Sequence, residues 1–244
     1  MNRPLRTVAV VGPDGAGKSA VVAALPRAVA VPTETVYLGV NLSASDAMLP
    51  TTRLARRLKR RTGGGMTAPN ATAPSAETAG GGRGILGGIV GGARRSLRLA
   101  AWIGEEWYRA VVVRRHVRAG KLVICDRHFV CDYYAADIAP RGGRPLLRRI
   151  HGWQLAHLYP RPDLVLVLDA PVEVLHARKQ EDPVAVLAQR RADYLLLKDA
   201  LPNVIVIDAT QPLEAVVAEA AAAIAERHPV AARGDRATAT QEAG

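Results

Sequence analysis

The chain has 244 residues, of which 49% are hydrophobic and 23% are charged. This balance excludes a largely disordered protein and fits one α/β domain with a full core. The formal net charge of +11 favours acidic partners such as nucleotides, nucleic acid or an anionic membrane surface. The two cysteines, Cys125 and Cys131, are too few for a disulfide scaffold or a cysteine-only zinc site. The apolar runs are too short for a signal sequence or a membrane span, so we expect a soluble, cytoplasmic protein.

Predicted strands and helices alternate along the chain. Short apolar runs predict strands at residues 8–11, 35–40, 121–125, 164–168 and 204–207. Helices are predicted at residues 20–29, 53–61, 93–119, 145–158, 171–179, 184–201 and 213–227. This order is typical of an α/β fold with a five-stranded parallel sheet and helices on both faces. Ligands of such sheets bind at the carboxyl ends of the strands, where Asp126, Asp169 and Asp208 lie.

One stretch inside the predicted domain has a different composition. Between about residues 62 and 92, Gly, Ala, Thr and Pro dominate, with glycine runs at 63–65 and 80–82. Such a segment buries too little apolar surface to offset its chain entropy. We therefore expect one domain over residues 1–227 with a mobile insertion at 62–92, followed by a disordered tail at 228–244.

A glycine-rich loop follows the first predicted strand directly. Its residues fit the phosphate-loop pattern G-x-x-x-x-G-K-[S/T] and are Gly12, Pro13, Asp14, Gly15, Ala16, Gly17, Lys18 and Ser19. The glycines allow successive backbone N–H groups to turn inward around a phosphate. Lys18 would reach the β- and γ-phosphates, and Ser19 would offer its hydroxyl to Mg²⁺. The sequence therefore predicts a site for a nucleotide polyphosphate.

A second motif lies at the end of the third predicted strand. Residues 121–125 form an apolar run that ends at Asp126, and Arg127 follows. Asp126 could hold Mg²⁺ directly or through water. Arg127 could contact a transferring or an acceptor phosphate. A strand that ends in Asp-Arg is a weak signal by itself, but it gains weight beside a phosphate loop.

These residues resemble the thymidylate kinase family of the P-loop class. The likeness is carried by the loop at 12–19, the segment 125–129, the segment 162–179 and residues 206–209. It runs from residue 8 to about residue 227, with an interruption between about 41 and 93. The resemblance implies the three-layer P-loop NTPase fold. It also implies ATP-dependent phosphoryl transfer to a nucleoside monophosphate, dTMP to dTDP, with ATP and Mg²⁺ in the site.

The resemblance also implies roles for single residues on the donor side. Lys18, Asp126, Arg127 and Arg178 would be catalytic, with Arg178 acting on the transferring phosphoryl from the lid. Ser19 would hold Mg²⁺ together with Asp126. Two further lid cations are open as candidates, Arg190 and Arg191.

The acceptor side follows the family pattern only in part. By the resemblance, Asp14 would face the acceptor sugar and Arg127 would touch the acceptor. The R-E-P-G segment that grips the acceptor phosphate in the family has no counterpart here, and Arg53 is a candidate substitute. Tyr133 is a candidate for stacking on the acceptor base.

Alternatives to the nucleotide acceptor stay open at this point. A nucleoside or another hydroxyl acceptor would need a carboxylate to take its proton, and Asp126, Glu105 or Glu106 could supply it. The chain could also be a non-catalytic nucleotide-binding module. A homodimer is compatible with the sequence, and its basic clusters leave contact with nucleic acid or a membrane surface open, although no nucleic-acid module accompanies them.

Overall fold

The computed structural model describes residues 5–39, 49, 52, 85–140 and 142–228. Five strands lie within these ranges: β1 (Thr7–Val11), β2 (Thr33–Tyr37), β3 (Leu122–Asp126), β4 (Leu164–Asp169) and β5 (Val204–Asp208). The described helices are α1 (Lys18–Ala28), α2 (Ile85–Arg118), α3 (Phe129–Asp132), α4 (Leu146–His157), α5 (Val172–Arg178), α6 (Val184–Leu195), α7 (Leu197–Ala200) and α8 (Leu213–Arg227), and a π-helical turn spans Tyr134–Ile138.

The five strands form one parallel sheet in the order β2-β3-β1-β4-β5. The strand β1 is central, and Val10 pairs with Asp126 on one side and Leu166 on the other. This register brings the ends of β1, β3 and β4 to one edge of the sheet. The predicted five-stranded parallel sheet is therefore confirmed.

Alternate residues of β1 belong to two separate cores. Val8 and Val10 pack in a core with α1 and α8, whereas Ala9 and Val11 pack in a core with α2 and α4. Successive side chains of a strand point to opposite faces, so the two cores lie on opposite faces of the sheet. The prediction of helices on both faces is confirmed.

The long helix α2 begins at Ile85, earlier than the predicted start at residue 93. Residues 85–92, which the composition assigned to the mobile insertion, are therefore helical. Each glycine lowers helix stability by about 1 kcal/mol, but extending an established helix is much easier than nucleating one. The rest of the predicted insertion, the helix predicted at 53–61 and the tail at 229–244 lie outside the described residues. In the described ranges, α2 and the other helices all lack an apolar stretch long enough to traverse a bilayer.

Two short elements after β3 were absent from the prediction. They are α3 and the π-helical turn, and His128 caps α3 by accepting a hydrogen bond from the backbone N–H of Val130 at 3.3 Å. Helix α4 packs against the π-helical turn at Gly152, where an added Cβ would collide with the carbonyl oxygen of Asp137. The helix α3 and the π-helical turn are too short to show a hydrophobic period in the sequence.

Candidate active site

The glycine loop lies between the central strand β1 and helix α1. Gly12, Gly15 and Gly17 have φ angles of 147°, 87° and 83°, a range that side chains rarely tolerate. A Cβ at Gly12 would collide with the backbone of Leu168, and one at Gly15 with the backbone of Leu175. Backbone conformation and space therefore both require glycine at positions 12 and 15.

The lysine of this loop is buried against the loop itself. Lys18 is 6% exposed, and its ammonium donates a hydrogen bond to the carbonyl of Pro13 at 2.6 Å. Its Nζ lies 3.7 Å from Oδ1 of Asp14. Burial, together with the charge of Arg127, lowers the pKa of Lys18 to about 8. An anion in the loop would favour the charged form of this lysine.

Ser19 and Asp126 offer two oxygen ligands that fit Mg²⁺. The Ser19 hydroxyl donates to Oδ2 of Asp126 at 3.3 Å. Oδ1 of Asp126 is buried, and no described residue offers it a hydrogen bond. Mg²⁺ takes oxygen ligands and commonly keeps waters and substrate phosphates among them. Among the described residues, no group of three or more His, Cys, Asp or Glu that could hold a metal ion is present.

Asp14 is held between two arginines from different parts of the fold. Arg127, which follows β3, donates to its Oδ1 at 2.7 Å, and Arg190 of α6 donates to its Oδ2 at 2.7 Å. Burial by itself would raise the pKa of Asp14, but the charges of Lys18, Arg127 and Arg190 outweigh it and lower the pKa to about 2. Three cations therefore meet at one carboxylate beside the phosphate loop.

Arg127 has a strained backbone. Its φ angle is 68°, in the left-handed region that costs a non-glycine residue about 1–2 kcal/mol. Its N–H donates to the carbonyl of Val10 at 3.0 Å, which ties it to the central strand. Burial would lower the pKa of Arg127, but the carboxylates of Asp132 and Asp14 help to hold the pKa above its usual range. Strain of this kind is common at functional sites.

Helix α6 brings further charged groups to the same edge of the sheet. Arg190 also donates to Oδ2 of Asp182 at 2.6 Å. Arg191 binds both oxygens of Asp169, at 2.7 and 2.9 Å. One helical turn after Arg190, the Tyr194 hydroxyl donates to Oδ1 of Asp132 at 2.8 Å. Of this group, the sequence indicated Arg190 and Arg191 as open candidates and missed Asp132, although the spacing of 190 and 194 places both on one helix face.

The remaining predicted residues lie elsewhere. Arg178 donates to the backbone carbonyl of Ala209, just after β5, at 2.8 Å, whereas Arg190 is the lid-side arginine that meets Asp14. The Tyr133 ring packs edge-on against His151, with 4.8 Å between ring centroids. Arg53 lies outside the described residues. The roles predicted for Arg178, Tyr133 and Arg53 therefore stay predictions.

The two glutamates considered as proton acceptors are engaged in internal contacts. Glu106 is fully buried, with Oε1 2.9 Å from Nε2 of His151 and Oε2 accepting from Gln154 at 2.8 Å. Glu105 lies 3.6 Å from Arg109. It also accepts hydrogen bonds from the N–H of Leu49 and the hydroxyl of Thr52, at 3.2 and 3.1 Å. Of the three carboxylates considered, only Asp126 keeps an oxygen without a hydrogen bond among the described residues.

A glycine loop after the central strand of a parallel sheet, with a buried lysine and a Ser–Asp pair, defines an α/β fold of the P-loop NTPase type. No protein-family model matches the chain. Three curated proteins match part of the chain, and each of them is a thymidylate kinase.

The relative from Methylococcus capsulatus is 40% identical over 116 residues, covering 43% of this chain and 54% of its own. The relative from Latilactobacillus sakei is 40% identical over 121 residues, covering 44% and 55%. The third, from Chlamydia felis, is 30% identical over 109 residues, covering 41% and 53%. The chain thus spans about half the length of the curated relatives it matches. Over that length the chain is similar to thymidylate kinases.

Proposed function

We propose that this protein is an ATP-dependent kinase that transfers the γ-phosphoryl group of ATP to a nucleoside monophosphate, with dTMP as the acceptor and dTDP as the product. The observation that carries the proposal is the meeting of Lys18, Arg127 and Arg190 at Asp14, beside the phosphate loop. The similarity to thymidylate kinases supports the choice of acceptor.

The loop and Lys18 bind the donor phosphates. Backbone N–H groups of the glycine loop and the N-terminus of α1 complement negative charge. Lys18 exchanges its bond to the Pro13 carbonyl for a phosphate oxygen, and burial makes that charge–charge contact stronger than it would be in water. The loop therefore holds ATP and neutralises the phosphates nearest the transfer.

Ser19 and Asp126 hold the metal ion. Mg²⁺, when bound, neutralises charge that develops on the β- and γ-phosphate oxygens. The Ser19 hydroxyl and the unbonded Oδ1 of Asp126 supply its protein ligands. Asp126 is fixed for this role because its strand pairs with β1 in the register Val10–Asp126.

The two arginines at Asp14 serve the acceptor and the transferring phosphoryl. A nucleoside monophosphate already carries an anionic oxygen, so the reaction needs positioning and charge neutralisation rather than a strong base. Arg127 binds the acceptor phosphate from the end of β3, and Arg190 stabilises the transferring group from α6. Asp14 holds both guanidinium groups in place. Arg178, Arg53 and Tyr133 are secondary candidates for the lid, the acceptor phosphate and the acceptor base.

A coupled assay of ADP release tests the proposal. The purified chain is given ATP and Mg²⁺ with dTMP, with the other nucleoside monophosphates, or with thymidine. We expect release with dTMP, and a loss of about 100-fold or more in Lys18→Ala, because a charge contact made in the transition state is removed. The Ala variant also serves as the control for contaminating kinases.

Two results would contradict the proposal. ADP release with thymidine but with no monophosphate would indicate a hydroxyl acceptor. If no acceptor leads to ADP release while calorimetry still shows ATP binding, the protein is a nucleotide-binding module without catalysis.

A further inference from the structure

Arg190 has a second carboxylate partner that the proposed function leaves without a role. Its Nη1 donates to Oδ2 of Asp14 at 2.7 Å and to Oδ2 of Asp182 at 2.6 Å. Asp14 belongs to the phosphate loop and also meets Lys18 and Arg127. Among the described residues, Asp182 pairs with Arg190 alone. Asp182 is therefore a carboxylate that serves this one arginine.

The path of the chain explains how Asp182 meets Arg190. Asp182 lies in the loop between α5 and α6, directly before Pro183, the N-cap residue of α6. The carbonyl of Pro183 accepts hydrogen bonds from the N–H groups of Val186 and Leu187, at 2.9 and 3.1 Å. Side chains of a helix lean toward its N-terminus, so the stem of Arg190 runs back toward this loop. Asp182 and Arg190 therefore belong to one structural element.

Helix α6 itself is docked by other contacts. Leu187 is fully buried, and Arg191 binds both oxygens of Asp169 at the end of β4. These contacts fix the helix but not the side chain of Arg190, which is 31% exposed. An arginine side chain has several rotatable bonds, and ordering it carries an entropic cost. The orientation of the Arg190 guanidinium therefore depends on its own two carboxylate partners.

Two acceptors on one nitrogen fix the plane of a guanidinium. Nη1 of an arginine carries two N–H groups that lie in that plane, so Asp14 and Asp182 can accept one each. With a single partner, the group could turn about that one hydrogen bond. In the part of the chain that the structure describes, the hydrogen bonds of Arg190 both start from Nη1. Nε and Nη2 therefore remain for phosphate oxygens, which arginine commonly binds through two parallel hydrogen bonds.

The negative charge of Asp182 does not explain its place beside this arginine. A carboxylate near a phosphate site repels the phosphate, so its charge alone would weaken binding and slow the transfer. Its benefit is geometric, because a guanidinium that is already oriented needs no further ordering when the transition state forms.

We propose that Asp182 is a positioning residue for the phosphoryl transfer, which holds Nη1 of Arg190 so that Nε and Nη2 face the transferring group. This inference rests on the proposed function, in which Arg190 stabilises the transferring phosphoryl. Asp182 acts through Arg190 and touches no substrate.

Steady-state kinetics of a double-mutant cycle test the assignment, with ATP, Mg²⁺ and dTMP as substrates. Asp182→Ala should lower kcat about tenfold and leave the KM values for ATP and dTMP within about twofold, because a contact made in the transition state is loosened. In the Arg190→Ala background, the same substitution should change kcat by less than about twofold. A merely structural role of Asp182 would lower activity in both backgrounds.

Two further variants separate geometry from charge and from folding. Asp182→Asn keeps an oxygen acceptor for Nη1 without the charge, so it should lose only about threefold in kcat; it also decides the matter if Asp182→Ala does not fold. Glu181→Ala removes a negative charge from the neighbouring residue, whose partner is Lys179 at 3.0 Å. Its kcat should stay within about twofold of the wild type.

The outcomes separate this inference from the proposed function. Turnover of dTMP with equal losses from Asp182→Ala in both backgrounds overturns the role of Asp182 and leaves the kinase activity intact. An unchanged or higher kcat in Asp182→Ala does the same, because it shows that the carboxylate acts only by its charge or not at all. A wild type that phosphorylates thymidine but not dTMP contradicts the proposed acceptor, and the cycle with thymidine then decides the role of Asp182. A wild type without turnover of any acceptor overturns both.

Discussion

At the scale of single residues, the contacts distinguish two arginines that the sequence could not rank. Arg178 and Arg190 both follow β4, and either could be a cation of the lid. Arg178 donates to the carbonyl of Ala209, whereas Arg190 reaches Asp14 in the phosphate loop. Under the proposed function, the arginine that reaches the phosphate loop should matter more, because electrostatic stabilisation falls with distance.

We therefore expect Arg190→Ala to lower kcat/KM for dTMP by about 100-fold or more, within the range known for arginines that stabilise a transferring phosphoryl. Arg178→Ala, which removes a guanidinium from the same side of the fold, should lower it by less than about tenfold. Steady-state kinetics with saturating ATP measure both variants. A larger loss in Arg178→Ala would refute this ranking.

The sequence could indicate the phosphate loop and the Asp126 strand end because their signals are local. The glycine loop and the lysine are adjacent in the chain, and Asp126 ends an apolar strand. In contrast, the contacts of Asp14 with Arg190, and of Asp132 with Tyr194, join residues separated by 176 and 62 positions. No spacing rule connects such pairs, so these contacts could not be derived before the fold was known.

At the scale of elements, the boundaries of β1, β3, β4 and β5 were predicted to within one residue. The strand predicted at residues 35–40 lies instead at Thr33–Tyr37, because its start is polar and gives no apolar run, and the connection after β3 was not predicted. Apolar runs of five or six residues between turns identify buried strands. The segment from Phe129 to Ile138 contains a short helix and a π-helical turn. Its aspartates are held by other elements, Asp137 by His151 and Arg148 of α4 and Asp132 by Tyr194 of α6. Tertiary packing decides its structure, as the close approach of Gly152 to the carbonyl of Asp137 shows.

Gly152→Ala should therefore destabilise the protein by about 2–4 kcal/mol, the cost of overpacking against rigid backbone. Helix propensity alone would predict the opposite effect, a gain in stability of about 1 kcal/mol for this change. Gly104→Ala in α2 is the matched control, since its Cβ would lie 3.9 Å from Leu49, an ordinary contact. Urea unfolding measures both. A Gly152→Ala variant as stable as the wild type would show that the turn can move away at little cost.

At the scale of the whole molecule, a buried charge network connects elements that the sheet does not join. His151 of α4 bridges Glu106 of α2 at 2.9 Å and Asp137 of the π-helical turn at 2.7 Å. Arg148 adds a second cation, 2.9 Å from Asp137. Burial by itself would lower the pKa of His151, but the two carboxylates outweigh it and raise the pKa to about 9. The imidazolium is therefore part of the folded structure at neutral pH.

This shift predicts a pH dependence of stability. The pKa of His151 is near 6.5 in the unfolded chain and about 9 in the folded protein. Its contribution is therefore complete below pH 6.5 and is lost as pH rises through 9, on the order of 3 kcal/mol in all. The pKa of Lys18 is lowered from 10.5 to about 8 in the folded protein. Its ionisation therefore has the opposite effect: it increases stability as pH rises from about 8 to 10.5. The difference between wild type and His151→Gln isolates the histidine.

Urea unfolding at pH 6, 7.5 and 9.5 measures that difference. We expect the advantage of the wild type to shrink steadily across the series. His157→Gln, an exposed histidine on the same helix, is the control. A constant difference between wild type and His151→Gln would mean that the network does not depend on the imidazolium.

The left-handed backbone of Arg127 has a consequence for how this position can change over generations. Glycine at this position would remove the conformational cost. Selection for stability alone would therefore favour the substitution of Arg127 by glycine. The guanidinium that meets Asp14 cannot be supplied by glycine. At residue 127 the backbone conformation favours glycine and the contact with Asp14 requires arginine. Retention of arginine there in descendants of this chain would be a signature of selection for the guanidinium group.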